Sequence, residues 1–313
     1  MSGDRVEASF RALRYVRTIE RHGARLRDPG FWRELNPELT VSDEPPIAHA
    51  RILDHRWAGD AHAHTHLRTE GFLVAPPIFD SDDCARLRTA VTRIVDAGLP
   101  PGCALVYDEI YRVITSLGRV LEPILGPQPA LMPEDSWVFF VPPGDAALTY
   151  WTAYAPHRDW AGGDPALNEG GLPTMLAAWV ALSDAGADNS CMYVVPSHCD
   201  RGYLTRGASV DPDDFRLQDV RACPVVAGQM LLFSTHLVHW GSRSSRTAPH
   251  PRVSLSMFAQ RADMPRRFGS LFDPSVAVPL DQRLIWTLRT MRMMLGKDQT
   301  NALGRTVGLT LGA

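Results

Sequence analysis

Lysine is almost absent from this chain: among 313 residues the only one is Lys297, and arginine carries the rest of the positive charge. No apolar run approaches the roughly 20 residues that a membrane span needs, which excludes a transmembrane helix. Positive charge is not in surplus either. Lys and Arg together number 32 against 35 for Asp and Glu, giving a formal net charge of −3. That balance excludes a nucleic-acid binder held by a basic surface. Cysteine is scarce and unpatterned, with Cys84, Cys103, Cys191, Cys199 and Cys223 forming no C-x-x-C. A disulfide framework or structural zinc cluster is not expected, and a reduced, cytoplasmic setting is. The opening MSGDRVEASFRALRYVRT spreads charge through its length and does not read as a secretory signal. No internal repeat and no low-complexity tract occurs. What is present is a hydrophobic content of 45%, enough to bury a large core.

The patterning divides the chain into three stretches of a single domain. Residues 1–134 read as a mainly helical flank. Val6, Phe10, Leu13, Val16 and Ile19 mark one face of a helix over residues 4–22. Residues 28–60 read as irregular connection. A helix capped by Ser81 runs to about Ala97, and another runs from about Tyr107 to Leu125, ended by Gly126 and Pro127. Residues 135–261 form a β core with candidate strands Trp137–Val141, Thr149–Tyr154, Thr174–Leu182, Met192–Val195, Met230–Phe233 and Val253–Ala259. Many short strands separated by turns suggest a jelly roll or sandwich, so the fold class is mainly β with flanking helices. Residues 262–313 carry a final helix from about Asp281 to Leu295.

Chemistry concentrates in the β core. His157 and Asp159 lie in APHRDW at a strand end, and residues two apart on a strand point to the same side. His239, in THLVHWGS, follows a later strand. Two imidazoles and one carboxylate on one face of a metal leave the opposite positions open, the facial arrangement of non-haem Fe(II) oxygenases. Arg252 and Ser254 begin the strand after His239. A planar guanidinium with a hydroxyl beside it suits the far carboxylate of 2-oxoglutarate.

These residues sit in a chain that resembles the phytanoyl-CoA dioxygenase family of Fe(II)/2-oxoglutarate oxygenases over roughly residues 66 to 261. The resemblance is carried by HLRTEGFLVAPPIFDSDDCARLR, VPPGD, APHRDW, LAAWVALSDAGADNSCMYVVPSH, VVAGQMLLFSTHLVHWGSRSS and PRVSLSMF, in family order. It implies a double-stranded β-helix core, metal ligands at His157, Asp159 and His239, and 2-oxoglutarate bound by Arg252. It also places Trp179 near the cosubstrate, Ser254 beside the binding arginine and Ser242 in the same pocket. The implied cofactors are Fe(II), 2-oxoglutarate and O2. Three departures stand out. PGSH is shortened to Pro196-Ser197-His198, Asn-Gly has become Asn189-Ser190, and Lys297 does not match the lysine that some members use as a second cosubstrate contact. Halogenating relatives replace the carboxylate ligand with a small residue, and here Asp159 is intact, so oxygenation is expected.

Several residues carry a second reading. His236 competes with His239 as the ligand. His62, His64 and His66 read as a solvated linker or as a metal face on a strand. Cys191, His198 and Cys199 read as two buried thiols beside a histidine or as a zinc site. Trp160 is a substrate wall or a core residue, and Ala161–Leu172 a lid or an ordinary loop. Trp137 and Phe139 are expected to line the barrel. No basic patch for a CoA phosphate is present. The alanine-, glycine- and proline-rich composition fits a high-GC bacterium, whose secondary metabolism employs such enzymes. A small, polar biosynthetic intermediate is therefore the expected partner, hydroxylated or oxidatively cyclised as in antibiotic tailoring. A zinc hydrolase using the same three ligands, and a non-catalytic ligand-binding jelly roll, are the rival classes. The oligomeric state is not legible.

Overall fold

A computed structural model describes residues 3–43, 51–144, 155–159, 166–211, 213–265, 272–273 and 275–312. The expected strand Thr149–Tyr154, Trp160 and the first half of the expected lid lie outside them. The helical flank holds α1 (Gly3–His22), α2 (Pro29–Leu35), α3 (Ala61–Glu70), α4 (Ser81–Asp96) and α5 (Asp108–Leu125), with strand β1 (Phe72–Ala75) between α3 and α4. The strands that follow are β2 (Ala130–Val141), β3 (Met175–Ala181), β4 (Met192–Val194), β5 (Arg221–Cys223), β6 (Met230–Ser234), β7 (His239–Gly241) and β8 (Arg252–Gln260). Helices α6 (Leu280–Thr290) and α7 (Arg292–Val307) close the chain.

Strands pair antiparallel throughout, in one five-stranded sheet of order β1-β6-β3-β8-β2 and one three-stranded sheet of order β5-β4-β7. The side chains of β3 show how the two sheets enclose the core. Leu176, Ala178 and Val180 face the helices, where they meet Leu232, Leu255 and residues of α5. Ala177, Trp179 and Ala181 face the other way, into a second cluster with Met192, Val194 and Phe233 between the sheets. Alternation with both faces apolar is what a central strand covered on both sides requires. The result is a jelly-roll core with helices packed on its outer face. No helix among the described residues is long and apolar enough to cross a membrane.

Four local expectations need correction. Residues 28–60 are not all irregular: Asp28 caps α2 by accepting a hydrogen bond from the Gly30 amide at 2.8 Å, and Pro29 starts the helix. Asp80, one residue before Ser81, caps α4 by the same geometry at 2.9 Å. His62, His64 and His66 belong to α3, neither a strand nor a linker; the His62 and His66 rings stack one turn apart. The final helix is two helices, α6 and α7, and Gly296 at φ +76° breaks the second. On α1, Val16 and Ile19 are buried as expected, whereas Leu13 is exposed.

The turn before β6 is fixed by a close approach. Gly228 sits at φ +87°, and a Cβ there would lie 2.3 Å from the Phe79 carbonyl oxygen. The Gly228 carbonyl accepts a hydrogen bond from the Ile78 amide at 2.8 Å. Gly228→Ala is expected to destabilise the protein by roughly 1–3 kcal/mol, the range for one strained backbone position, as read by urea denaturation.

Candidate active site

The short segment 155–159 is tied to β7 by reciprocal backbone hydrogen bonds. The His157 amide donates to the His239 carbonyl at 3.1 Å, and the His239 amide donates back at 3.0 Å. This bridge brings the two histidine rings to a centroid separation of 4.3 Å. Asp159 completes the group, its carboxylate oxygens 3.6 Å from His157 Nε2 and 3.5 Å from His239 Nε2. The three donor atoms all lie within 4.8 Å of one another, and among the described residues no other set of three His, Cys, Asp or Glu side chains does this. His236, the competing ligand, is buried outside the group.

Each ring nitrogen on the far side is occupied. His157 Nδ1 meets the Ala155 carbonyl at 2.8 Å, and His239 Nδ1 meets the Leu237 carbonyl at 3.0 Å. A carbonyl can only accept, so Nδ1 carries a proton on both imidazoles, and in the neutral ring the lone pair falls on Nε2, the nitrogen on the Asp159 side. That is the donor state a divalent metal needs, and a mixed nitrogen and oxygen set with open positions suits iron(II).

Burial would lower the pKa of His157, but its hydrogen bond and charge pairing with Asp159 outweigh this and raise it. Burial likewise pushes Asp159 up, and the two histidines outweigh it, holding the carboxylate below its usual range. His239 is lowered to about 4, by burial first and the neighbouring His157 second, against the pull of Asp159. His157 is therefore the group whose proton competes with metal as pH falls. A bound metal requires it neutral. Ni(II) affinity is expected to fall by about tenfold per unit once the pH drops below the raised His157 value, as measured by calorimetry from pH 8 to 5; a flat profile would contradict the assignment of His157.

A cavity of about 660 Å³ opens over this group, lined by Asp135, Trp137, Phe139, Trp179, Phe233 and Arg252 among others. Arg252 is buried, and its guanidinium lies 5.6 Å from the Phe139 ring centre and 5.5 Å from that of Trp179. Two serines orient it. Nη1 donates to Ser254 Oγ at 2.8 Å, Nη2 to Ser190 Oγ at 3.2 Å, and Nε to the Ser190 carbonyl at 3.1 Å. Ser254 thus serves Arg252 and stands off the cavity wall. Ser242 does too: its carbonyl accepts the Ser190 hydroxyl at 2.7 Å. The departure Asn189-Ser190 acquires a meaning here. Ser190 holds φ +56°, the conformation a glycine adopts freely, and uses the added hydroxyl on Arg252. Lys297 is exposed on α7.

Sequence reasoning missed Arg158, the residue between the two ligands. In an extended segment it must point away from the metal side. Its side chain is fully buried, with Nη2 2.7 Å from Asp200 and 3.2 Å from Asp214, and Nη1 donating to the Ser209 carbonyl at 2.7 Å. Gly202 leaves the space for this, since a Cβ would sit 2.5 Å from Arg158 Nη2. Asp135 was missed as well. It faces the cavity, accepts a hydrogen bond from Trp137 Nε1 at 3.3 Å and has its pKa raised to about 6, by burial first and by Asp159 in addition. Of the cysteines proposed as zinc ligands, Cys191 is buried and Cys199 only partly so, and both are free thiols. The described part of the expected lid forms a turn in which the Leu172 amide donates to the Asn168 side chain at 3.0 Å.

Comparison with known proteins agrees with this architecture. Residues 108–252 match the family model described as phytanoyl-CoA dioxygenase (PhyH). No curated protein matches by sequence. Among solved structures, the non-heme monooxygenase ThoJ is 16% identical at a TM-score of 0.52, the match covering 77% of this chain and 98% of that one. The non-heme alpha ketoglutarate dependent carbocyclase SnoK from nogalamycin biosynthesis is 18% identical at a TM-score of 0.51, covering 70% of this chain and 93% of that one. These two likenesses establish the shared fold. The family match over residues 108–252, with the two-histidine, one-carboxylate cluster inside it, makes this chain similar to the PhyH-like Fe(II)/2-oxoglutarate-dependent oxygenases.

Proposed function

We propose that His157, Asp159 and His239 bind Fe(II), that Arg252 binds the distal carboxylate of 2-oxoglutarate, and that the enzyme oxidises a small biosynthetic intermediate in the cytoplasm. The observation that carries this reading is the convergence, on one cavity, of a facial triad and a buried arginine. When bound, the metal supplies the activation of dioxygen and the coupled oxidative decarboxylation of 2-oxoglutarate. The chain's own residues supply position. Nδ1–H contacts to the Ala155 and Leu237 carbonyls fix both imidazoles. Ser254 and Ser190 hold the guanidinium plane, and Phe139 and Trp179 flank it. Antibiotic tailoring, by hydroxylation or oxidative cyclisation, is in keeping with the stated role of SnoK. A zinc hydrolase would leave Arg252, buried among its serines, without a task.

Arg252→Ala tests the cosubstrate site. Loss of a buried, hydrogen-bonded charge partner is expected to weaken 2-oxoglutarate binding by about 2–5 kcal/mol, roughly 30-fold or more, with metal affinity kept. Unchanged 2-oxoglutarate affinity would remove the assignment. Ser190→Gly suits the positive-φ backbone and deletes the hydroxymethyl side chain. A rise of a few-fold in the KM for 2-oxoglutarate is expected from the lost contact to Arg252, worth about 1 kcal/mol, with kcat little changed; the bond to the Ser242 carbonyl is lost with it.

A further inference from the structure

Strand β2 pairs with β8 in two registers. Met132 faces Phe258, yet Trp137 faces Ser256, so the residues between them bulge out of the ladder. Such bulges re-aim side chains beside active sites. Asp135 lies within this bulge, Trp137 and Phe139 follow in the regular ladder beyond it, and all three line the cavity. The Trp137 and Phe139 rings lie nearly parallel, at 18° and 6.4 Å between centroids. At the Phe139 end stands Arg252, the cation that the proposed function assigns to 2-oxoglutarate. On the other side of Trp137, in the bulge, stands a carboxylate, Asp135, that no metal or cosubstrate role employs. Among the described residues its one hydrogen bond comes from Trp137. Ser256 and Phe258 face the same space from β8, and Met293 reaches it from α7.

We infer that Asp135 is a specificity-determining residue that receives the protonated amine of a ring-bearing substrate, whose flat portion lies along Trp137 and Phe139. A carboxylate in an apolar cavity needs a charge-bearing or strongly donating partner. Arg158, the other cation on the wall, is already committed to Asp200 and Asp214. Asp135 and Arg252 therefore sort two ligands by sign: the anionic cosubstrate at one end, a cationic substrate at the other. This sharpens the expected small polar intermediate into an amine carried on a largely apolar framework. The inference rests on the proposed function for the Arg252 end of the cavity.

Calorimetric titration of the protein loaded with Ni(II) and 2-oxoglutarate tests it, using 2-naphthylmethylammonium and the neutral 2-naphthylmethanol as probes. The ammonium is expected to bind about tenfold more tightly than the alcohol, as a charge-assisted hydrogen bond exceeds a neutral one. Asp135→Asn is expected to abolish the preference and Asp135→Glu to retain it. Equal binding of the two probes, no binding of the ammonium, or a preference that survives Asp135→Asn would overturn the inference. An anaerobic Fe(II) and 2-oxoglutarate absorption band in the same proteins separates the two readings. A band without amine preference defeats Asp135 alone, and amine preference without a band defeats the oxygenase assignment alone.

Discussion

Asp159→Ala is expected to reduce 2-oxoglutarate turnover to background and to weaken metal binding by more than about 100-fold. Loss of groups that merely orient a metal ligand already costs about 10–100-fold, and Asp159 is itself the sole carboxylate of the triad. It sits 3.6 Å from one imidazole nitrogen and 3.5 Å from the other, closing the face they form. Its negative charge also offsets part of the charge of a divalent cation that two neutral imidazoles would leave uncompensated. Asp159→Asn, which keeps the shape and removes the charge, is expected to fall nearly as far. The measurement is metal affinity by calorimetry alongside succinate release. Turnover in Asp159→Ala equal to that of the parent protein would exclude the triad as the metal site.

Arg158→Leu is expected to lower folding stability by about 3–5 kcal/mol, the cost of breaking a buried ion pair from one side. The substitution leaves Asp200 and Asp214, both fully buried, facing each other without the cation between them. Arg206, half exposed, contacts Asp214 at 3.1 Å and compensates only in part. A second effect follows from position. Arg158 lies between His157 and Asp159, so its anchorage fixes the segment that carries both side chains. Metal affinity is expected to drop by about 10–100-fold under conditions where the variant remains folded. Asp200→Asn, which keeps a hydrogen-bonding partner for Arg158, is expected to lose less of both. A loss of stability with unchanged metal affinity in the folded fraction would show that the clamp supports the fold alone.

The contrast between Asp159 and Arg158 shows how far this molecule can be read from its residues. The triad and Arg252 were legible because their chemistry depends on residue type and order along the chain. A His-x-Asp at a strand end, a later His and a following Arg-x-Ser are local patterns that the fold brings to one cavity. The partners of Arg158 were not legible, since Asp200 and Asp214 reach it through a loop whose course no local pattern reveals. Asp135 needed the register shift in β2 to turn it inward, and Ser190 needed the hydrogen-bond geometry around Arg252. The fold divides the same way. Strands β3 and β6 announce themselves as short apolar runs between turns, and β8 by its alternation. Strands β5 and β7, three residues each, form through the neighbours they pair with. Helix α2 is set by an Asp-Pro start within a polar stretch. Helix α7, Arg292–Val307, runs across a non-helical Gly296, whereas the apolar pattern ends at Leu295.

The most direct measurement is anaerobic absorption spectroscopy. Fe(II) is added to the purified metal-free protein, followed by 2-oxoglutarate, and the weak visible charge-transfer band of the chelated keto acid is sought. The expected result is a band in the parent protein, lost in His157→Ala, Asp159→Ala and His239→Ala, and requiring far more 2-oxoglutarate in Arg252→Ala. Absence of the band with iron demonstrably bound, or its persistence in Asp159→Ala, would contradict the assignment of this cavity as an iron and 2-oxoglutarate site.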